Sequence, residues 1–192
     1  LPIYVSIRVH LNRLFGLEQL ADFGMLQTQQ LLSLRQIIFD RQNFLISGST
    51  GSGKTTLLRA MLSECIGERI LALEDVAELA LQSPNYISLQ TRQANIEGKG
   101  EIRQRELVKN SLRMRPDRII LGELRREENR TCPETIYTGR GGAFTTIHAA
   151  AACKAIDWLA IIVLAAGLGI GFEIAKRYCE GSVDLVVQLA WH

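Results

Sequence analysis

The run Gly48-Ser49-Thr50-Gly51-Ser52-Gly53-Lys54-Thr55 constrains this chain more than any other stretch. It fits the pattern G-x-x-x-x-G-K-[ST], in which glycines let successive backbone N–H groups turn inward on an anion. Its flanks fit too. Asn43-Phe44-Leu45-Ile46-Ser47 reads as a short buried strand, and Thr56-Leu57-Leu58-Arg59-Ala60-Met61-Leu62 is made mostly of good helix formers. Strand, turn and helix together aim the positive end of a helix dipole, roughly half an elementary charge, at the bound anion. Lys54 is then placed to reach β- and γ-phosphates, and the Thr55 hydroxyl to ligate Mg²⁺. The pattern predicts a nucleotide-phosphate cradle.

The 192 residues give room for one good core with a small appendage, and 47% hydrophobic with 22% charged residues is a globular composition. A formal net charge of +2 is too small to argue for a nucleic-acid partner. Cys65, Cys132, Cys153 and Cys179 are widely spaced with no C-x-x-C pair, so neither a disulfide framework nor a zinc site is expected, and a reducing cytoplasm is. The chain opens Leu1-Pro2-Ile3-Tyr4 without a secretory signal pattern or an initiator methionine, and reads as a piece of something longer. Residues 158–172 carry no charge, but fifteen residues fall short of the ~20 that a membrane-spanning helix needs. A buried helix ending in a turn at Gly167, Gly169 and Gly171 is expected there.

Weak alternation of Ile3, Val5, Ile7 and Val9 suggests a strand over residues 1–10, and residues 17–39 carry helical spacing broken at Asp22-Phe23-Gly24. From about Ile37 apolar runs of strand character recur between helical stretches: Phe44–Ser47, Ile70–Leu73, Tyr86–Leu89, Arg118–Leu121, Ala143–Ile147 and Asp184–Leu189. Continuous apolar strands separated by helices predict a largely parallel sheet covered on both faces. With a phosphate loop after an early strand, the expected core is a RecA-like α/β domain.

In such sheets the ligand sits at the carboxyl ends of the strands. Glu74, Asp75 and Glu78 follow one predicted strand, and Gly122-Glu123 follows another. Phosphoryl transfer to water calls for a carboxylate that polarises the water, and Glu123 and Glu74 are the candidates. Both equally suit the common preference of acidic residues for helix N-termini. His148, at a third strand end beside Thr145 and Thr146, suits a γ-phosphate sensor or a structural histidine. Arg92, Arg103, Arg105, Arg113, Arg115, Arg118, Arg125 and Arg126 crowd one region. They suit a solvated face paired to Glu97, Glu101 and Glu106, or a phosphate clamp across a subunit boundary. No aromatic residues interleave with them, so base stacking on a nucleic acid is poorly supported.

Four stretches in order, 48–56, 72–81, 91–125 and 144–149, resemble the type II/type IV secretion ATPase superfamily, most closely the Flp/Tad pilus-assembly ATPases and their conjugation relatives. The likeness is colinear over about residues 40–190, and Ser6-Ile7-Arg8 resembles the end of that family's N-terminal domain. It implies that residues 1–36 are a remnant of that domain with its linker, and 37–192 the RecA-like ATPase domain. It further implies that Gly48 to Thr56 hold ATP, that Glu74, Asp75 and Glu78 form an acidic box, and that Glu123 activates water. His148 then senses phosphate, Arg92, Arg113 and Arg125 touch nucleotide or a neighbouring subunit, and Mg²⁺ is held by Thr55 with Glu74 or Glu123 acting indirectly. The implied assembly is a homohexamer in the cytoplasm, peripherally bound to the inner membrane, pushing on a membrane platform protein. Residues 126–137, with Pro133, lack the amphipathic helix the family has there; Arg140 stands where a histidine is common, and residues 154–163 are less charged than the family's helix. Three functions are left open: an ATP-driven secretion or pilus motor, a nucleotide-binding module without hydrolysis, and a RecA-type nucleic-acid motor.

Overall fold

Five consecutive buried residues, Phe44–Gly48, form β1, an interior strand of the sheet. The computed structural model describes residue 5 and residues 14–122, 141–165, 167 and 169–190. Within them α1 (Leu17–Asp22) and α2 (Thr28–Phe39) precede β1, and α3 (Lys54–Ser63) follows it. Then come β2 (Ile70–Glu74), β3 (Tyr86–Gln90), α4 (Gln104–Ser111), β4 (Arg118–Leu121), β5 (Phe144–Ile147), α5 (Ala152–Ala165), α6 (Phe172–Ser182) and β6 (Leu185–Leu189). All six expected strands are present, each end within one residue of its apolar run.

The sheet runs β3-β2-β4-β5-β1-β6, and every pairing is parallel. Asn43 sets the start of β1 against both neighbours: its Oδ1 accepts from Ala143 N at 2.9 Å, and its own N–H donates to Asp184 Oδ2 at 2.7 Å. Alternation sorts the side chains between two cores. Phe44, Ile46, Ala72 and Ile120 pack with α1, α2 and α3, whereas Leu45, Leu73, Ile119 and Leu121 pack with α4, α5 and α6. Helices therefore cover both faces, as two-sided apolar runs require. The exceptions are β3 and β6, half-buried because each is an edge strand.

The boundary drawn after residue 36 falls inside α2, whose Leu34, Ile37 and Ile38 share one core cluster with Leu57 and Met61 of α3. The uncharged stretch after Trp158 continues α5 to Ala165 and turns at Gly167 (φ +75°) and Gly169 (φ +68°). No helix among the described residues is long and apolar enough to cross a membrane. The strand suggested for residues 1–10 lies, apart from Val5, outside the described residues, as does the 126–137 segment.

Candidate nucleotide site

Because every strand runs the same way, the carboxyl ends of β1, β2, β4 and β5 meet along one edge of the sheet. A cavity of about 410 Å³ opens there, lined by Lys54, Thr55, Glu74, Asp75, Gly122 and His148 among others. The loop between β1 and α3 forms its floor. Gly53 stands at φ +90° as the residue before α3, a left-handed conformation open to glycine at little cost. Gly48 is required by space: a Cβ there would lie 2.8 Å from the Leu189 carbonyl oxygen and 2.5 Å from Ser52 Oγ.

Lys54 is 7% exposed, and its ammonium lies against the loop. It donates to Gly48 O at 2.9 Å and Ser49 O at 2.7 Å, with His148 Nδ1 at 3.4 Å. An ammonium only donates, so in this contact Nδ1 of His148 stands on the acceptor side. The phosphate-loop lysine and the histidine at the end of β5 thus come together from 94 residues apart.

Glu74 is 3% exposed, and both its carboxylate oxygens are occupied. Oε1 accepts from Glu78 N at 3.0 Å and Leu79 N at 2.9 Å; Oε2 accepts from Tyr86 Oη at 3.2 Å and Ser88 Oγ at 3.0 Å. Burial, then the Glu74 charge and this hydrogen bond, push the Tyr86 phenol well above its ordinary range. Glu74 therefore anchors the 74–79 turn, which carries Asp75 and Glu78 to the cavity rim, and Asp75 Oδ1 accepts from Thr91 Oγ1 at 2.9 Å.

Gly122 closes the far wall. Its N–H donates to Leu73 O at 3.0 Å and its carbonyl accepts from Thr146 Oγ1 at 2.6 Å, which ties the end of β4 to β2 and β5. Glu123 and Arg125 lie outside the described residues. Arg92 and Arg113 are exposed, and neither lines the cavity within one chain. Arg92 Nε donates instead to Gly100 O at 2.6 Å. Arg103 meets Glu101 at 2.8 Å and Lys99 meets Glu97 at 3.3 Å, the solvated pairing. Arg118 follows neither alternative: it is 2% exposed, bound to Glu68 and to Ile38 O, with its guanidinium over the Phe144 ring.

A left-handed glycine before a helix, a buried lysine folded on the loop and carboxylates at the end of β2 beside it define a P-loop nucleotide-binding α/β domain. The type II/IV secretion system protein model matches residues 1–189, and the chain belongs to that family. The conjugal transfer protein TrbB of Rhizobium radiobacter is 33% identical over 188 residues, 96% of this chain and 55% of the relative. The VirB11 ATPase of the Brucella suis type IV secretion system, solved in complex with sulphate, aligns at TM-score 0.74 with 32% identity, over 90% of this chain and 49% of that one. The pilus retraction motor PilT with bound ADP aligns at TM-score 0.70 with 22% identity, over 94% of this chain and 49% of that one, a likeness of fold. The core is accordingly RecA-like, and the chain spans about half the length of the relatives it matches.

Proposed function

We propose that this chain is the nucleotide-binding and hydrolysing motor domain of a secretion, conjugation or Flp/Tad-type pilus-assembly ATPase. The observation that carries the reading is the convergence of Lys54, Thr55, Asp75, Gly122 and His148 on one cavity at the strand ends. ATP seats its β- and γ-phosphates on the N–H groups of residues 50–55, and Lys54 exchanges the Gly48 and Ser49 carbonyls for phosphate oxygens. The residues fit Mg²⁺ brought in on the nucleotide: Thr55, with its hydroxyl donor set, and carboxylates line the cavity. The ion's contribution is neutralisation of charge on the phosphate oxygens. Glu123, directly after Gly122, orients the attacking water. His148, already within reach of Lys54, reads the γ-phosphate by hydrogen bond, and Glu74 holds the Asp75–Glu78 turn in place. Arg92, Arg113 and Arg125 act across a subunit boundary in a homohexamer seated on a membrane platform protein, peripheral to the inner membrane; the conjugal transfer and type IV secretion relatives support a place in such a system.

The test is steady-state phosphate release from the wild-type chain and Glu123→Gln, with ATP binding measured beside it. Loss of a water-orienting base lowers turnover by about 100-fold or more while ATP affinity holds. Unchanged turnover in Glu123→Gln removes Glu123 from that role, and ATP binding with background release in the wild type favours a module that binds without hydrolysing.

A further inference from the structure

β5 meets its two neighbours unequally. Against β1 its backbone ladder runs on to Ser47↔Ile147, but against β4 it stops at Leu121↔Thr145. The next position in register sets Gly122 opposite Thr146, and there a side chain makes the link: Thr146 Oγ1 donates to the Gly122 carbonyl at 2.6 Å. Thr146 is 3% exposed and lines the phosphate cavity. The adjacent Thr145 is as deeply buried, yet its hydroxyl has no hydrogen-bond partner among the described residues. Gly122 is held on its other sides as well. Its N–H donates to Leu73 O at 3.0 Å, and Glu74 Cγ lies 3.2 Å from the place a Cβ on Gly122 would occupy.

The Gly122 carbonyl belongs to the peptide bond into residue 123, and a peptide bond is planar. A donor that fixes this carbonyl therefore fixes the plane from which the next residue departs. Resting on the reading of Glu123 above, we propose that Thr146 is a positioning residue for ATP hydrolysis: its hydroxyl, acting through the Gly122 carbonyl, aims Glu123 at the attacking water. His148 stands two residues further along the chain, within reach of Lys54. The end of β5 then serves both sides of the reaction, with His148 toward the phosphates and Thr146 toward the peptide that carries the base.

The experiment measures kcat for phosphate release and, by titration, ADP affinity, on the full chain in magnesium. The proteins are the wild type, Thr146→Val, Thr146→Ser, Thr145→Val, Glu123→Gln and the double variant of Thr146→Val with Glu123→Gln. Thr146→Val keeps the side-chain shape and removes the donor. It lowers kcat about tenfold, the order of one neutral hydrogen bond, and leaves ADP affinity within about threefold. Thr146→Ser, which keeps the donor, and Thr145→Val, which removes an unpaired hydroxyl, stay within about threefold of the wild-type kcat. In the double variant valine adds no loss to that of Glu123→Gln, since a base that is gone cannot be misaimed. If Thr146→Val melts below the assay temperature, Thr146→Ser against Thr146→Ala makes the same comparison, with serine the faster. Unchanged kcat in Thr146→Val, equal kcat in the serine and alanine variants, an equal loss in Thr145→Val, or a full further loss in the double variant overturns the positioning role and leaves the Glu123 reading standing. Unchanged turnover in Glu123→Gln, or background release from the wild type, overturns that reading and this inference with it.

Discussion

Replacing Glu74 by alanine removes the acceptor of four hydrogen bonds from a position only 3% exposed. The Tyr86 and Ser88 hydroxyls can rotate toward other partners, but the Glu78 and Leu79 N–H groups are fixed by the turn. Two such donors left without an acceptor, together with the lost charge-assisted bonds, cost about 3–5 kcal/mol. For a domain of this size that is a fall of roughly 10 °C in the unfolding midpoint. Glutamine behaves differently. Its one carbonyl oxygen can stay on the two N–H groups while its NH₂ donates to the two hydroxyl oxygens, so the cost drops to about 1 kcal/mol, roughly 3 °C. The assay is thermal unfolding by circular dichroism, with phosphate release measured on the same samples. An anchoring Glu74 keeps Glu74→Gln turnover within about tenfold of the wild type, whereas a water-polarising Glu74 loses about 100-fold or more with the fold intact. Glu74→Ala melting like the wild type, or Glu74→Gln melting as low as Glu74→Ala, would refute the hydrogen-bond account.

Burial raises the Cys65 and Cys179 thiols to about 11, above the ~8.5 of an exposed thiol. Their contribution to stability is therefore whole below about pH 8.5 and is lost as pH rises through about 11. Urea midpoints measured in reductant are expected to hold steady to about pH 8.5 and then fall. Iodoacetamide at neutral pH labels the exposed Cys153 while Cys65 and Cys179 stay protected until the chain unfolds, which peptide mapping reads directly. Gly48→Ala places a methyl 2.8 Å from Leu189 O; it lowers stability by about 1–3 kcal/mol and weakens ATP binding, checked by melting and titration together. Arg118→Met breaks the buried pair with Glu68 and removes one of two donors to Ile38 O, which keeps the Arg41 N–H at 3.2 Å, at a cost of about 3–5 kcal/mol. Arg103→Ala, in the solvated pair with Glu101, gives no measurable change in the same melts.

The strand pattern was legible because burial on both faces leaves unbroken apolar runs, and β1, β2 and β4 are buried along their whole length. The phosphate loop was legible because its chemistry demands glycine at particular places, Gly48 and Gly53 among them. Less could be read where a residue's partner lies far along the chain. Arg118 belongs in sequence to a basic run, yet its partner Glu68 is 50 residues away, and nothing local marks the guanidinium as buried. Glu74 and Glu123 follow predicted strands in the same fashion, and only the positions of Tyr86 and Ser88 distinguish an anchored carboxylate. Residues 17–39 carried helical spacing broken at Asp22-Phe23-Gly24, but no signal that Met25 in that turn reaches Gly53. His148 was picked out by its place at a strand end, while its approach to Lys54 depends on β5 pairing with β1.

The central claim is that the loop from Gly48 to Thr55 holds the phosphates of ATP through Lys54. Its most direct test is calorimetric titration of ATP with magnesium into the wild-type chain and Lys54→Met. Removing a charged donor that serves two phosphates weakens binding by about 100-fold, near 2.7 kcal/mol. Because methionine fills the same buried space without an ammonium, the unfolding midpoint without nucleotide stays within about 3 °C. Equal ATP affinity in the two proteins, with the variant folded, would contradict the claim.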